Sequence, residues 1–381
     1  IGVRLVGSEM CIRDRYKIIG RGVVVSGYIY DDSSKDEYNN TRKVKWTDIG
    51  EWEHPGKAVM KTLTDITQYT EYVEKLNAMF DTEDDDDDID VEEEPLNTYT
   101  KENFLADVYI SEKQYDTLEG LLRKKLNVIL QGAPGVGKTY AAKRLAYSMM
   151  GVKDPERVQL VQFHQSYSYE DFVEGFRPSS TGMNFEIKKG AFYNFCKKAS
   201  DDKENEYFFI IDEINRGNLS KIFGELFMLI EADKRGNDIQ LLYSSDKFSV
   251  PKNVYIIGMM NTADRSLAMI DYALRRRFAF YEMKPAFESE GFREYQYGLE
   301  NDKFNKLIDC VISLNQKIAD DESLGEGFCI GHSYFCDIEE IKENTLTDIV
   351  EFEIIPLLKE YWFDEPSKVK EWTDRLRSAV K

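Results

Sequence analysis

Leu126–Tyr140, LNVILQGAPGVGKTY, decides how the rest of this chain is read. Leu126–Leu130 is an apolar run with β-branched content, long enough for one buried strand and too short for a helix. Behind it Gly132, Gly137, Lys138 and Thr139 satisfy the spacing of a phosphate loop, and the helical run AAKRLAYSMM starts where that motif needs a helix. Glycines let successive N–H groups converge on phosphate oxygens, and the helix N-terminus adds the positive end of its dipole. The nucleotide-binding set is therefore Gly132, Ala133, Pro134, Gly135, Val136, Gly137, Lys138, Thr139 and Tyr140. Lys138 is expected to reach the β/γ-phosphates and the Thr139 hydroxyl to ligand Mg²⁺. The competing reading is a glycine-rich turn with no ligand. It explains neither the lysine nor the hydroxyl.

Outward from this stretch, strand and helix alternate as in a parallel sheet with crossover helices. Strands are expected at Leu126–Leu130, Val158–Phe163, Tyr207–Ile211, Val254–Met259 and Phe278–Glu282, and helices at Thr139–Met149, Ala191–Lys198, Leu219–Ala232 and Ala268–Arg275. Two insertions read as β-hairpins, one around Met183–Ile187 and one pairing Ile239–Tyr243 with Lys247–Val250. After Pro285 the period becomes helical. The expected fold is thus an α/β core over residues 99–285 with a helical lid subdomain over 286–381.

Residues 1–15 carry no clear periodicity and are set aside as a non-native leader. Residues 16–80 read as a partial β-rich unit with Trp46 and Trp52, followed by an amphipathic helix. Residues 81–98 form an acidic linker: Asp81–Glu94 holds eleven acidic residues and no basic one. Such a block repels itself and stays extended. It supplies eleven of the twenty excess negative charges, so the net charge of −20 does not exclude a DNA partner. No apolar stretch approaches membrane-spanning length, and the five cysteines are scattered and odd in number. The chain therefore reads as cytoplasmic, with reduced thiols and no membrane partner. Cys329, His332 and Cys336 lie close in sequence, but three ligands without a fourth read as packing rather than zinc.

The strand Tyr207–Ile211 ends in Asp212-Glu213, where ligands sit in open α/β sheets. Asp212 is placed to hold Mg²⁺ and Glu213 to orient or deprotonate the attacking water. The next strand ends in Asn261-Thr262-Ala263-Asp264. Read as Asn-x-x-Asp, this could bind guanine; read by strand order, Asn261 is a polar sensor beside the acidic pair, and the strand order favours the sensor. Further on, Arg275, Arg276 and Arg277 precede the last strand. Three cations in a row are usually a solvated surface, but in ring-forming NTPases an arginine here enters the neighbouring site. Asp271, Arg276 and Arg277 are the candidates for action in trans, with Arg276 the favoured finger.

GAPGVGKT, QFHQSYSYEDFVEGFRP (162–178), IIDEINRGNLSKIFGEL (210–226), MNTADRSLAMIDYALRRRF (260–278) and IGHSYF (330–335) together resemble the McrB family. This is the AAA+ motor of modification-dependent restriction systems. The resemblance implies an AAA+ P-loop core, a hexameric ring, GTP in place of ATP, and a separate McrC-like nuclease subunit. It also implies translocation of DNA carrying 5-methylcytosine. By position it assigns phosphates and Mg²⁺ to Gly132–Thr139, metal and water to Asp212 and Glu213, and the sensor role to Asn261. RKVKW, GEW and KTLTDIT resemble, more faintly, the trailing part of EVE-type, PUA-like domains. No nuclease motif is present, so cleavage is expected from a partner. The rival readings are a MoxR-like ATPase that remodels a protein client and a nucleotide-dependent assembly module with negligible basal turnover.

Overall fold

The computed structural model describes residues 97–178, 184–264, 272–338 and 340–381, together with the strands of an N-terminal unit. The chain divides into two units, Ile1–Glu92 and Glu93–Lys381. In the first, β1 (Gly2–Val6), β2 (Glu9–Asp14), β3 (Lys17–Val24), β6 (Val44–Glu53) and β7 (Leu63–Asp65) form a sheet in the order β6-β3-β2-β1-β7. The short strands β4 (Ile29–Tyr30) and β5 (Asn40–Thr41) pair separately. Two strands of this sheet thus fall within residues 1–15, which sequence reasoning had set aside. The acidic run lies outside the described residues.

In the second unit α1 (Lys101–Asp107) and α2 (Glu112–Lys125) lead into β8 (Asn127–Gly132). The start of α2 is set by a capping box, in which Ser111 and Gln114 satisfy each other's backbone N–H groups. The sheet contains β8, β9 (Val158–Gln162), β12 (Tyr207–Asp212), β15 (Val254–Asn261) and β16 (Ala279–Met283), all parallel, in the order β16-β8-β15-β12-β9. Both faces of the inner strands β8, β15 and β12 are covered, so these read as near-continuous apolar runs, whereas the edge strands β9 and β16 carry polar residues and are partly exposed. Side chains nevertheless divide by the strand period of two. Val128, Leu130, Phe208, Ile210, Tyr255, Ile257 and Met259 enter one hydrophobic cluster, and Ile129, Phe209, Ile211 and Ile256 the other.

The first cluster continues without a break into the lid. There α7 (Asp302–Ala319), capped by the Asn301 side chain, buries Phe304, Leu307, Ile308, Val311, Leu314 and Ile318 at helical spacing. Around it lie α6 (Glu290–Gly298), α8 (Ile355–Tyr361) and α9 (Pro366–Ala379). On the opposite face, α4 (Ala191–Asp201) buries Phe192, Phe195 and Cys196. Tyr169 and Phe172 are also buried there, which makes them core residues.

Within the second unit, sequence and structure part company in three places, and in the first unit β7 begins the stretch that was read as an amphipathic helix. The helix expected over Leu219–Ala232 is two short helices, Leu219–Phe223 and Leu226–Leu229, because Gly224 adopts φ +51 and its Cα backs onto the Tyr169 ring. The first hairpin pairs β10 (Glu174–Pro178) with β11 (Phe185–Lys189), so its outgoing strand lies in the segment read as a motif. The second pairs only β13 (Ile239–Gln240) with β14 (Lys247–Phe248). Lys189 ties the two hairpins together through Glu174, Asp246 and Ser244, at 2.8, 2.6 and 3.0 Å. Arg235, fully buried, anchors the insertion to the base of the sheet. Its guanidinium donates to the carbonyls of Ile230, Pro251 and Val254 and to Asn127 Oδ1.

Candidate nucleotide site

The loop after β8 turns on two glycines with left-handed backbone, Gly135 and Gly137, both at φ +76. Gly132 has a different reason to be glycine: a Cβ there would lie 2.3 Å from the Met283 carbonyl on the neighbouring strand. The helix that follows, α3 (Lys138–Met150), begins at Gly137 with no side chain capping its first turn. Its leading N–H groups are therefore left to an external acceptor, the arrangement that binds phosphate. Thr139 and Tyr140 follow on the exposed side of the first turn, whereas Ala133 and Val136 are buried and hold the loop down.

Lys138 is only 9% exposed. Its ammonium donates to the carbonyls of Gly132 and Ala133 at 3.0 and 2.9 Å and to Asn261 Oδ1 at 2.7 Å. Burial pushes the lysine down to about 8, against the opposing pull of Glu213, Asp212 and Asp264. The other end of the Asn261 amide donates to Glu213 Oε1 at 2.8 Å. The second Glu213 oxygen accepts from Arg216 Nε at 3.0 Å, and Arg216 reaches on to Asp264 at 2.9 Å. The result is one chain of polar contacts, Lys138–Asn261–Glu213–Arg216–Asp264. It joins the ends of β8, β15 and β12, and β15 lies between the other two.

Glu213 sits at φ 50, ψ 45, a left-handed conformation that costs a residue with a side chain roughly 1–3 kcal/mol. Asp212 keeps one carboxylate oxygen on the Glu213 N–H at 3.0 Å and is half-buried. With the exposed Thr139 hydroxyl it offers a hard oxygen donor set of the kind Mg²⁺ takes.

The lid closes over the loop through Ile330–Phe335. Gly331 N–H donates to the Pro134 carbonyl at 3.1 Å and Ser333 N–H to the Gly135 carbonyl at 2.9 Å. The approach is so close that a Cβ on Gly331 would lie 1.9 Å from the Gly135 carbonyl carbon. His332, between them, is 9% exposed, and burial pushes its imidazole down to about 4. Cys336 Sγ lies 3.2 Å from the His332 carbonyl, and Cys329 Sγ 3.6 Å from the Asn315 carbonyl. The three residues noted for zinc thus direct their polar atoms to different partners.

The arginines at the end of α5 (Tyr272–Arg277) separate clearly. Arg277 is 16% exposed and held within its own chain, donating to the Phe227 carbonyl and pairing with Glu231 at 2.9 Å. Arg276 is 79% exposed, and its pairing with Glu231 is a loose 3.8 Å. Asp271 lies outside the described residues.

Sequence reasoning missed Arg216, although its spacing of three from Glu213 was a usable signal. It singled out Ile330–Phe335 as a motif but had no means of placing it against the phosphate loop. Asn215, next to Arg216, has a buried Oδ1 with no hydrogen-bond partner among the described residues.

Comparison with known proteins agrees with this architecture. Residues 127–278 match the AAA domain of the dynein-related subfamily, residues 306–370 the α-helical lid domain of McrB, and residues 10–72 a domain of unknown function. The chain is 50% identical over 291 residues to the EcoKMcrB subunit of a type IV methyl-directed restriction enzyme from Escherichia coli K12, covering 73% of this chain and 63% of that protein. It is 25% identical over 247 residues to the YdiS component of the type II restriction enzyme BsuMI from Bacillus subtilis 168, covering 53% of this chain and 72% of that one. The chain thus spans less than two thirds of the length of the E. coli relative.

Proposed function

We propose, on the premise that this chain is McrB-like, with an AAA domain and the McrB helical lid, that it hydrolyses nucleoside triphosphate as the motor of a DNA restriction complex. GTP is the proposed substrate and the cytoplasm the proposed compartment; among the described residues no helix is long and apolar enough to cross a membrane. The observation that carries the reading is the polar chain from Lys138 through Asn261 to Glu213 at the ends of three adjacent strands.

In this reading the loop amides and Lys138 bind the phosphates, and Thr139 and Asp212 would hold Mg²⁺, which would supply neutralisation of phosphate charge. Glu213 takes the proton of the attacking water, and Asn261 spans the water and the γ-phosphate. Arg276 enters the site of the next subunit in a ring, a hexamer by resemblance, with Asp271 as a second trans candidate. Ring motion would then translocate DNA for a separate McrC-like nuclease.

Both Glu213 oxygens are already engaged, by Asn261 and Arg216, which supports low basal turnover until a partner frees the carboxylate. Replacing Glu213 by Gln should lower turnover about 10²–10⁴-fold while leaving nucleotide binding intact. Unchanged turnover would remove Glu213 from the chemistry. DNA-stimulated turnover that weakens steeply with salt supports the restriction motor. Stimulation by a protein client with no response to DNA would move the assignment to a remodelling ATPase.

A further inference from the structure

We propose that His332, the buried imidazole of the lid strap, donates its Nε2–H to the C6 carbonyl oxygen of an oxopurine base and so separates guanine from adenine nucleotides. The inference rests on the reading of the loop as a nucleotide site and names the group that selects the base.

A cavity of about 280 Å³ adjoins the start of α3, walled by Val108, Tyr109, Gly137, Tyr140, Pro285 and His332 among others. Lys138, Asp212, Glu213 and Asn261 do not line it. It therefore lies at the end of the phosphate cradle away from the groups placed for hydrolysis. A triphosphate lying along the loop amides leaves its base there. The cavity is about the size a purine nucleoside needs, at the lower end of small-ligand sites.

Within it His332 has one defined protonation state. The Ala286 N–H donates to Nδ1 at 3.1 Å, so Nδ1 is the acceptor and the proton of the neutral ring sits on Nε2. Burial keeps the ring neutral, and the adjacent positive end of α3 at Gly137 also disfavours an imidazolium. Nε2 faces that helix start, 3.8 Å from where a Gly137 Cβ would stand. Tyr109, Phe287 and Phe292 pack around the imidazole with ring centroids 5.6, 6.4 and 6.1 Å away, which prevents it from turning to suit a different partner. A fixed buried donor pairs with a carbonyl and is left unpaired opposite an amino group, and that asymmetry is what discriminates.

The test is calorimetric binding of GDP, IDP, ADP and 7-deaza-GDP to the full chain and to His332→Ala, His332→Gln and Lys138→Ala. GDP and IDP, which share the C6 carbonyl, should bind within a few-fold of each other, with ADP weaker by about tenfold or more. 7-Deaza-GDP should match GDP. His332→Ala should bring the GDP-to-ADP ratio towards one by weakening GDP, and His332→Gln, which keeps an N–H donor of similar reach, should retain most of the preference. ADP binding the unaltered chain as tightly as GDP overturns the proposal without any variant, as does a ratio unchanged in His332→Ala. A loss with 7-deaza-GDP as large as with ADP also overturns it, by moving the contact to N7. Lys138→Ala should abolish binding of all four. If it does not, the nucleotide site itself is misplaced, a failure distinct from that of His332.

Discussion

Lys138 makes nucleotide binding a proton-linked reaction. Its folded value of about 8 lies below the ordinary lysine value of 10.5 because burial disfavours the ammonium and its three acceptors are neutral groups. A depression of this size corresponds to about 3 kcal/mol held against the charged form. Phosphate oxygens supply the missing counter-charge and bring the value back up. At pH 8 about half of the free protein must therefore take up a proton on binding, and affinity should fall by up to about tenfold per unit above pH 8. Below pH 7 this group contributes no slope. The same depression acts on folding with its own sign. Between pH 8 and 10.5 the unfolded chain binds more protons than the free folded one, so the stability of the nucleotide-free protein gains from this group as pH rises. Titration calorimetry with GDP in two buffers of different ionisation enthalpy, at pH 7, 8 and 9, measures the uptake directly. Lys138→Arg stays charged throughout and should show none. Zero uptake at pH 8 with affinity flat from 7 to 9 would refute the argument, because it would mean that the lysine is already charged and paired before nucleotide arrives.

Arg276→Ala should leave nucleotide affinity nearly unchanged and lower turnover by about 10³-fold or more. Mixing it with Glu213→Gln protein should restore part of the rate if the arginine acts across a subunit boundary; full activity in Arg276→Ala alone places the finger elsewhere. Gly331→Ala puts a methyl group 1.9 Å from the Gly135 carbonyl carbon and so should cost roughly 2 kcal/mol or more, read as a lowered Tm together with weakened nucleotide binding. Wild-type values for both would mean that the strap does not press on the loop. Arg216→Ala frees one oxygen of Glu213 and should raise basal turnover several-fold in steady-state assays, whereas a fall would make Arg216 an aid to the chemistry and not a restraint.

The parts of this fold that were legible in the sequence are those whose cause is local. The three inner strands of the central sheet, β8, β15 and β12, are short apolar runs bounded by turn residues, and all five strands were found within two residues of their observed ends, the two edge strands by their place in the strand–helix alternation. The phosphate loop was legible because the spacing of Gly132, Gly137, Lys138 and Thr139 is itself a local signature, and Gly135 and Gly137 take the left-handed backbone that glycine favours. What was not legible depends on distant packing. The break at Gly224 needs the Tyr169 ring from fifty-five residues upstream, and periodicity through Leu219–Ala232 carries no trace of it. Arg276 and Arg277 are equivalent as text; the phase of one helical turn buries the second against Glu231 and Phe227 and leaves the first in solvent. His332 read as ordinary packing, and only the Ala286 N–H and three surrounding rings give its imidazole a single donor direction.

Asn261 is the residue on which these strands of argument meet. Its amide is used at both ends, the oxygen on Lys138 and the nitrogen on Glu213. A phosphate that takes over the lysine removes the partner of the oxygen, and turning the amide then breaks one contact, the one to Glu213, instead of two. If it does, Glu213 is left to Arg216 alone, and Arg216 is also tied to Asp264 on the loop that leaves β15. Occupancy at the phosphate loop would thereby be felt across three strands, through contacts of 2.7–3.0 Å that each involve a charged group, the class of hydrogen bond least indifferent to losing a partner. The lid strap couples the other end, since Pro134 and Gly135 cannot shift without Gly331 and Ser333. On the proposed reading, nucleotide arrival would therefore be felt both towards the lid and towards Asp264, a two-ended response that a rigid phosphate pocket would not provide.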